Sequence, residues 1–180
     1  MTPPRQPITD PQAGISLVEV IMYSTLTVLV LTVVASLFYV GFQTQAVAGD
    51  RDAATGHAQV VANTLQSGIG NASAISVTGS TVQARVATGA TGWQCAAWAL
   101  TPDHKLVYRT SDSSITDTDY STWTVLATGV SGGLSGGDAF SGDATRLDYS
   151  FRFASGSVTV PIAGAATATA FGTGSPESCW

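Results

Sequence analysis

From Val20 to Gly49 the chain carries no charged residue, and apolar side chains fill every face of a helix drawn through the run. About 20 apolar residues suffice for a helix to cross the hydrocarbon core of a bilayer. Such a surface has to be covered by lipid or by other helices, so this run limits the folds open to the whole chain. Ser24, Thr25, Thr27, Thr32 and Ser36 interrupt it. A helical hydroxyl can bond the carbonyl one turn back, so these residues do not forbid insertion. Glu19 is the anomaly. A carboxylate in an apolar span costs roughly a few kcal/mol, and a buried acid needs a cationic partner. The only basic side chain before it is Arg5. Cutting the chain after Gly14 would supply another cation, the ammonium of Ile15.

Gly14-Ile15-Ser16-Leu17-Val18-Glu19 resembles the class III signal sequence of type IV pilins and pseudopilins. A short polar leader ends in Gly, an apolar residue follows, Glu stands fifth from the cut, and an apolar helix continues to about Phe42. The resemblance implies cleavage after Gly14 by a prepilin peptidase, N-methylation of Ile15, and pairing of Glu19 with a mature N-terminus during filament assembly. Two features depart from the family pattern. Ile15 stands where many major pilins have Phe, and Gln12-Ala13 rather than basic residues precede the cut. Arg5 and the α-amine against Asp10 give only a weak positive-inside signal. The competing readings are an uncleaved signal anchor and a secretory signal peptide. The latter has an apolar core of about 7–15 residues, shorter than this run.

Residues 1–14 read as the leader, 15–42 as the transmembrane or filament-core helix, and 43–71 as an amphipathic continuation. Ala54, Ala58, Val61, Leu65 and Ile69 recur at spacings of three and four, which places one apolar stripe on that second half. Gly68, Gly70 and Asn71 are expected to end it. Residues 72–180 read as a β-rich globular domain. Ile75–Val77 and Val82–Val86 flank the turn Gly79-Ser80, and Trp93–Leu100 and Leu106–Thr110 flank Thr101–Lys105. Trp123–Val130 is expected to be one strand. Leu147, Tyr149, Phe151 and Phe153 alternate with polar residues, and Val158–Val160 with Ile162 close the sheet. The expected fold class is α+β, a long N-terminal helix packed on an antiparallel sheet of four to seven strands. In layout it resembles the J-type pseudopilins and PilW-type minor pilins.

The net charge is −5 with 11% charged residues and Lys105 as the single lysine, which argues against wholesale attraction to nucleic acid. The two cysteines, Cys95 and Cys179, fall in the part expected outside the membrane. In an oxidising compartment such a pair is expected as a disulfide. Gly133-Leu134-Ser135-Gly136-Gly137 matches G-x-S-x-G, but a nucleophile elbow needs a strand before it and a helix after it. The segment after it has no helical period, so no catalytic residue is assigned. His57 and His104 lack partners at metal-ligand spacing. Asp112, Asp117 and Asp119 share a loop and are weak calcium candidates; Asp138 and Asp143 share another. Asp is equally a turn residue, so no metal and no cofactor is expected. Arg85, Lys105, Arg109, Arg146 and Arg152 would form a basic strip for DNA only if the fold gathered them.

The sequence therefore points to a structural subunit rather than an enzyme: a minor pilin or pseudopilin of a type IV pilus or type II secretion-like filament. Its expected partners are other pilin subunits, the prepilin peptidase and the cytoplasmic membrane before assembly. The C-terminal domain is expected outside a single-pass anchor, then on the cell surface in a pilus or pseudopilus. The alternative is a membrane-anchored extracellular adhesion domain that never polymerises. Processing is directly testable. Intact mass of the membrane-extracted protein from peptidase-competent cells should correspond to a chain beginning at methylated Ile15, and Gly14→Val should retain the leader.

Overall fold

The computed structural model describes residues 16–89, 92–170 and 178–180. Its first element is helix α1, Leu17–Gly70, which runs through Gly41 and Gly49 without a break. The expected divisions at 15–42 and 43–71 fall within this one helix, apart from residue 15, which lies outside the described residues, and Asn71, which follows it. The chain separates into two compact units between Gln45 and Ala46. In the first, every described side chain is exposed, and an 18-residue window of the helix reaches a mean hydropathy of 2.2. In the second, Ala54, Ala58, Val61, Leu65 and Ile69 are the buried helix residues, the stripe expected from spacing.

Among the described residues nine strands follow, in two antiparallel sheets. Sheet A is a meander of β1 (Ala72–Thr78), β2 (Thr81–Ala87), β3 (Trp93–Leu100), β4 (Lys105–Ser111) and β5 (Thr124–Thr128). Sheet B is built on β8 (Arg146–Ser155). The short strands β6 (Val130–Gly132) and β7 (Phe140–Gly142) pair with β8, as does β9 (Val158–Thr167) along its full length. The architecture is α+β, as expected, but the single sheet of four to seven strands is corrected to five plus four.

The correction has a local cause. The span Trp123–Val130 is not one strand, because Gly129 adopts φ +69° and turns the chain from sheet A to sheet B. A side chain there would meet the Ala154 carbonyl oxygen at 2.7 Å, so the turn requires glycine. Val130 N–H then donates to the His104 carbonyl at 2.9 Å, and Ala154 N–H to that of Gly129 at 2.8 Å. The Gly-rich stretch after Gly133 is likewise not all loop, since it contains β7. The last strand runs on from Ile162 to Thr167.

One apolar cluster joins the helix stripe to both sheets. It takes Ile75, Val82, Trp98 and Leu106 from sheet A, and Val130, Phe140, Leu147, Tyr149, Phe151 and Phe153 from sheet B. The alternation along β8 puts its four large residues inward, and Phe140 stands edge-on to Phe151 at 5.4 Å. Strand β3 differs, being buried on both faces from Cys95 to Ala99. Ala96 and Trp98 join the helix-side core. Cys95, Ala97 and Ala99 form a second cluster with Val107, Ile115, Trp123 and Cys179.

Asp50, the first charge after the apolar run, meets the β8–β9 turn, where Ser155 Oγ donates to its Oδ1 at 3.4 Å. Gly68 was expected to terminate the helix, yet it lies inside α1, which ends at Gly70. There Asn71 returns both its backbone N–H and its Nδ2 to the Ser67 carbonyl. Gly68 is required for contact instead. A methyl group at this position would overlap the six-membered ring of Trp98, which is fully buried. In an open helix Gly→Ala stabilises by about 1 kcal/mol. Here the overlap reverses the sign, and Gly68→Ala should cost about 1–3 kcal/mol, the usual range for overpacking. Urea unfolding of the detergent-solubilised chain, followed by tryptophan fluorescence, checks both sign and size.

Candidate functional site

Glu19 stands in the first turn of α1 as the single acidic residue of the described apolar unit. Tyr23, one turn on, donates its hydroxyl to Glu19 Oε1 at 3.1 Å. Among the described residues this is the carboxylate's one hydrogen bond, and a carboxylate can accept several. The other polar groups nearby are satisfied within the helix. Ser24, Thr25, Thr27, Thr32 and Ser36 donate to carbonyls three or four residues back at 2.7–2.9 Å. Gln43 donates to Tyr39 at 2.8 Å. Among the described residues of this apolar unit, Glu19 is the one charged group. The residues expected at the processing point, Gly14 and Ile15, lie outside the described residues.

Cys95 and Cys179 form a disulfide across 84 residues, with Cα atoms 5.4 Å apart. Cys95 comes from β3, where it faces Arg85 of β2 and Ser111 of β4 in the ladder. The bond fixes Ser178–Trp180 to the outer face of sheet A. Together with Ile115 and Trp123, it covers the second face of β3.

The acidic loops perform turn work. Asp117 Oδ1 accepts from Asp119 N–H at 2.7 Å, and its Oδ2 from Arg109 at 3.2 Å. Asp119 accepts from Ser121 N–H at 3.0 Å, which starts the 3-10 turn Tyr120–Thr122. Asp112 is exposed, and among the described residues no three His, Cys, Asp or Glu side chains gather as a metal site. Asp143 Oδ1 accepts from Thr145 N–H, the Thr145 hydroxyl and Arg146 N–H at 2.7–2.9 Å. These bonds hold its carboxyl below the usual range, the Thr145 N–H foremost. Asp119 is lowered in the same way by Ser121. Asp103 falls to about 2 through Lys105 and Thr101.

The five cations expected as a strip are divided between the sheets. Arg85, Lys105 and Arg109 lie in sheet A, and Arg146 and Arg152 in sheet B. Lys105 pairs with Asp103, Arg109 with Asp117 and Arg146 with Asp148. Arg152 donates to the Gly132 carbonyl at 3.5 Å, while Arg85 Nε is buried without a partner. His57 is exposed on the helix, and exposed His104 occupies a left-handed turn position at φ 60°. Ser135 opens a three-residue 3-10 turn, followed by extended Asp138 and then β7. The strand-to-helix context of a nucleophile elbow is therefore not what surrounds it.

The aromatic cover of the outer face was not foreseen. Its signal was the unbroken apolar run Cys95–Leu100, which fits a strand buried on both sides rather than one. Comparison with family models, with curated proteins and with solved structures finds no match.

Two outcomes follow from this geometry. Cys179→Ser should lower stability by about 2–5 kcal/mol, the range for a native bridge in a small extracytoplasmic domain, measured as a shift in the urea midpoint. The second concerns acid. Asp103, Asp119 and Asp143 have folded pKa values below their unfolded ones, so their contribution is complete above about pH 4 and is lost as pH falls toward about 2. The melting temperature should decline across that window, and Asp143→Ala should shallow the decline.

Proposed function

We propose that this chain is a structural minor pilin or pseudopilin, inserted as a precursor, cleaved after Gly14 and methylated at Ile15. Its apolar helix half then packs among other subunits in a filament core. The observation that carries the reading is the exposed apolar run, uncharged apart from one underused carboxylate at its start. A simple anchor has no use for Glu19, whereas a filament subunit does. The Ile15 ammonium of a neighbouring subunit supplies the missing cation. Unit charges about 4 Å apart attract by roughly 4 kcal/mol at an effective dielectric near 20. Desolvation reduces the net gain, so the pair sets register more than it adds stability.

The β-domain in this reading faces outward, held by its own core and disulfide, and no catalytic role is assigned to it. The experiment that separates subunit from anchor is Glu19→Leu. The variant should insert and be cleaved at the unmutated level, yet be absent from sheared surface filaments probed alongside the major subunit. Recovery in filaments at the unmutated level would remove the assembly role and leave the non-polymerising adhesion domain as the better reading.

A further inference from the structure

Asn71-Ala72-Ser73 is the one Asn-x-Ser/Thr triplet in the sequence, and its middle residue is not proline. The other asparagine, Asn63, is followed by Thr64-Leu65 and has no hydroxyl at that offset. Such a triplet is the acceptor pattern for N-linked glycans in exported chains. Its two polar side chains differ in the folded chain. Asn71 is exposed at the joint between α1 and β1, and its Nδ2 donates to the Ser67 carbonyl at 3.0 Å. An amide nitrogen carries two hydrogens, so the second is left for substitution. The neighbouring Gly70 faces open space, where an added Cβ would meet nothing within 4 Å. Ser73 is the opposite case. Its Oγ is buried with no hydrogen-bond partner among the described residues, where the β1–β2 register shifts between Ala72 and Ala74. A buried hydroxyl left unbonded costs stability, and alanine would fill the same place without that cost. Capping of α1 accounts for Asn71. No contact among the described residues accounts for the hydroxyl two positions later.

We propose that Asn71 is an N-glycosylation site, and that the Ser73 hydroxyl serves the transfer of the glycan rather than the fold. In an extended chain residues i and i+2 point to one side, so Asn71 and Ser73 can be presented together to a transferase. The donor is a glycan carried on a lipid phosphate. Asn71 Nδ2 attacks its anomeric carbon and a C–N bond forms. The C–O bond to the phosphate breaks, its electron pair leaves on the phosphate, and the amide gives up one proton. Ser73 Oγ is enclosed in the folded domain while Asn71 is not, so transfer precedes the closing of β1 into its sheet. The attached glycan then stays outside the fold, and the remaining N–H keeps the bond to Ser67. Asn71 directly follows α1, roughly 30 Å along the helix from Asp50 at about 1.5 Å per residue, which holds the glycan clear of the apolar run.

The proposal rests on an extracytoplasmic β-domain, which the filament subunit and the anchored adhesion domain share, and not on assembly. The test is intact-mass and peptide-mapping mass spectrometry of the full chain extracted from its own cells. Sugar mass should be found on Asn71, kept in Ser73→Thr, and lost in both Asn71→Gln and Ser73→Ala. A second measurement separates loss of the acceptor from loss of the fold. In the Asn71→Gln chain, which carries no glycan, adding Ser73→Ala should leave the urea midpoint unchanged or raise it. Three results would overturn the proposal: an unmodified Asn71, sugar still on Asn71 in Ser73→Ala, or a midpoint lowered by Ser73→Ala in the Asn71→Gln chain. The same spectra report cleavage after Gly14 independently, so the glycan and the pilin reading can each fail alone.

Discussion

Burial of the stripe Ala54, Ala58, Val61, Leu65 and Ile69 is the contact on which the β-domain depends. Two sheets share one core only because this helix face lies in the same cluster as the inward residues of both. Sheet B leans on it most. Sheet B has two strands of three residues each, β6 and β7, and these cannot bury an aromatic row alone. The residues opposite the stripe complete the same logic. Phe140, Phe151 and Phe153 are large, while Ala54 and Ala58 are small. Gly68 is smaller still, which gives the Trp98 ring its place beside the helix. Volume is exchanged between element and element, so that the density of the core is kept.

The second constraint comes from β3. A central strand with Cys95, Ala97 and Ala99 pointing away from the helix would leave an apolar strip in water. The chain covers it with Ile115 and Trp123 from a long connection and with the Cys179 region, tied by the disulfide. A cover built from loop carries less burial than one built from helix, which is why a covalent link is useful there. The same cover, being irregular, leaves gaps. The aromatic cavity at Tyr120, Trp123 and Trp180 is one of them.

Legibility followed period and length. The helix stripe and the alternation of β8 each repeat over enough residues to be read directly, and the structure buries those positions. Strands β1 to β4 were bounded by turn residues and fell within one or two positions of expectation, except that β1 begins earlier at Ala72. What escaped was short or non-periodic. Three residues cannot display an alternation, so β6 and β7 were hidden in Gly-rich sequence. The sheet change at Gly129 depends on one backbone angle and on Ala154, a residue distant in the chain. The role of Gly68 was misread because cap and contact glycines look the same until the opposing ring is known. Among the candidate functional residues, the cysteine pair was legible from compartment logic. The cavity beside Trp180 was not, since its walls come from β2, a loop and the far end of the sequence.

The two units differ in exposure, and this separates what their residues do. In the apolar half every described side chain is exposed, so no packing within the chain fixes its shape. Glu19 is the exception, and its bond to Tyr23 satisfies only part of its capacity. In the β-domain the demand is for shape, as Gly68, Gly129 and the Trp98 ring illustrate. On the proposed reading a change in one unit acts through insertion and association, and a change in the other through folding. If Glu19 served the fold, its loss would appear in the unfolding of the β-domain. On the proposed reading its replacement should leave the urea midpoint unmoved while filament entry is lost. That combination marks an assembly residue, because no defect of folding or of membrane insertion produces it.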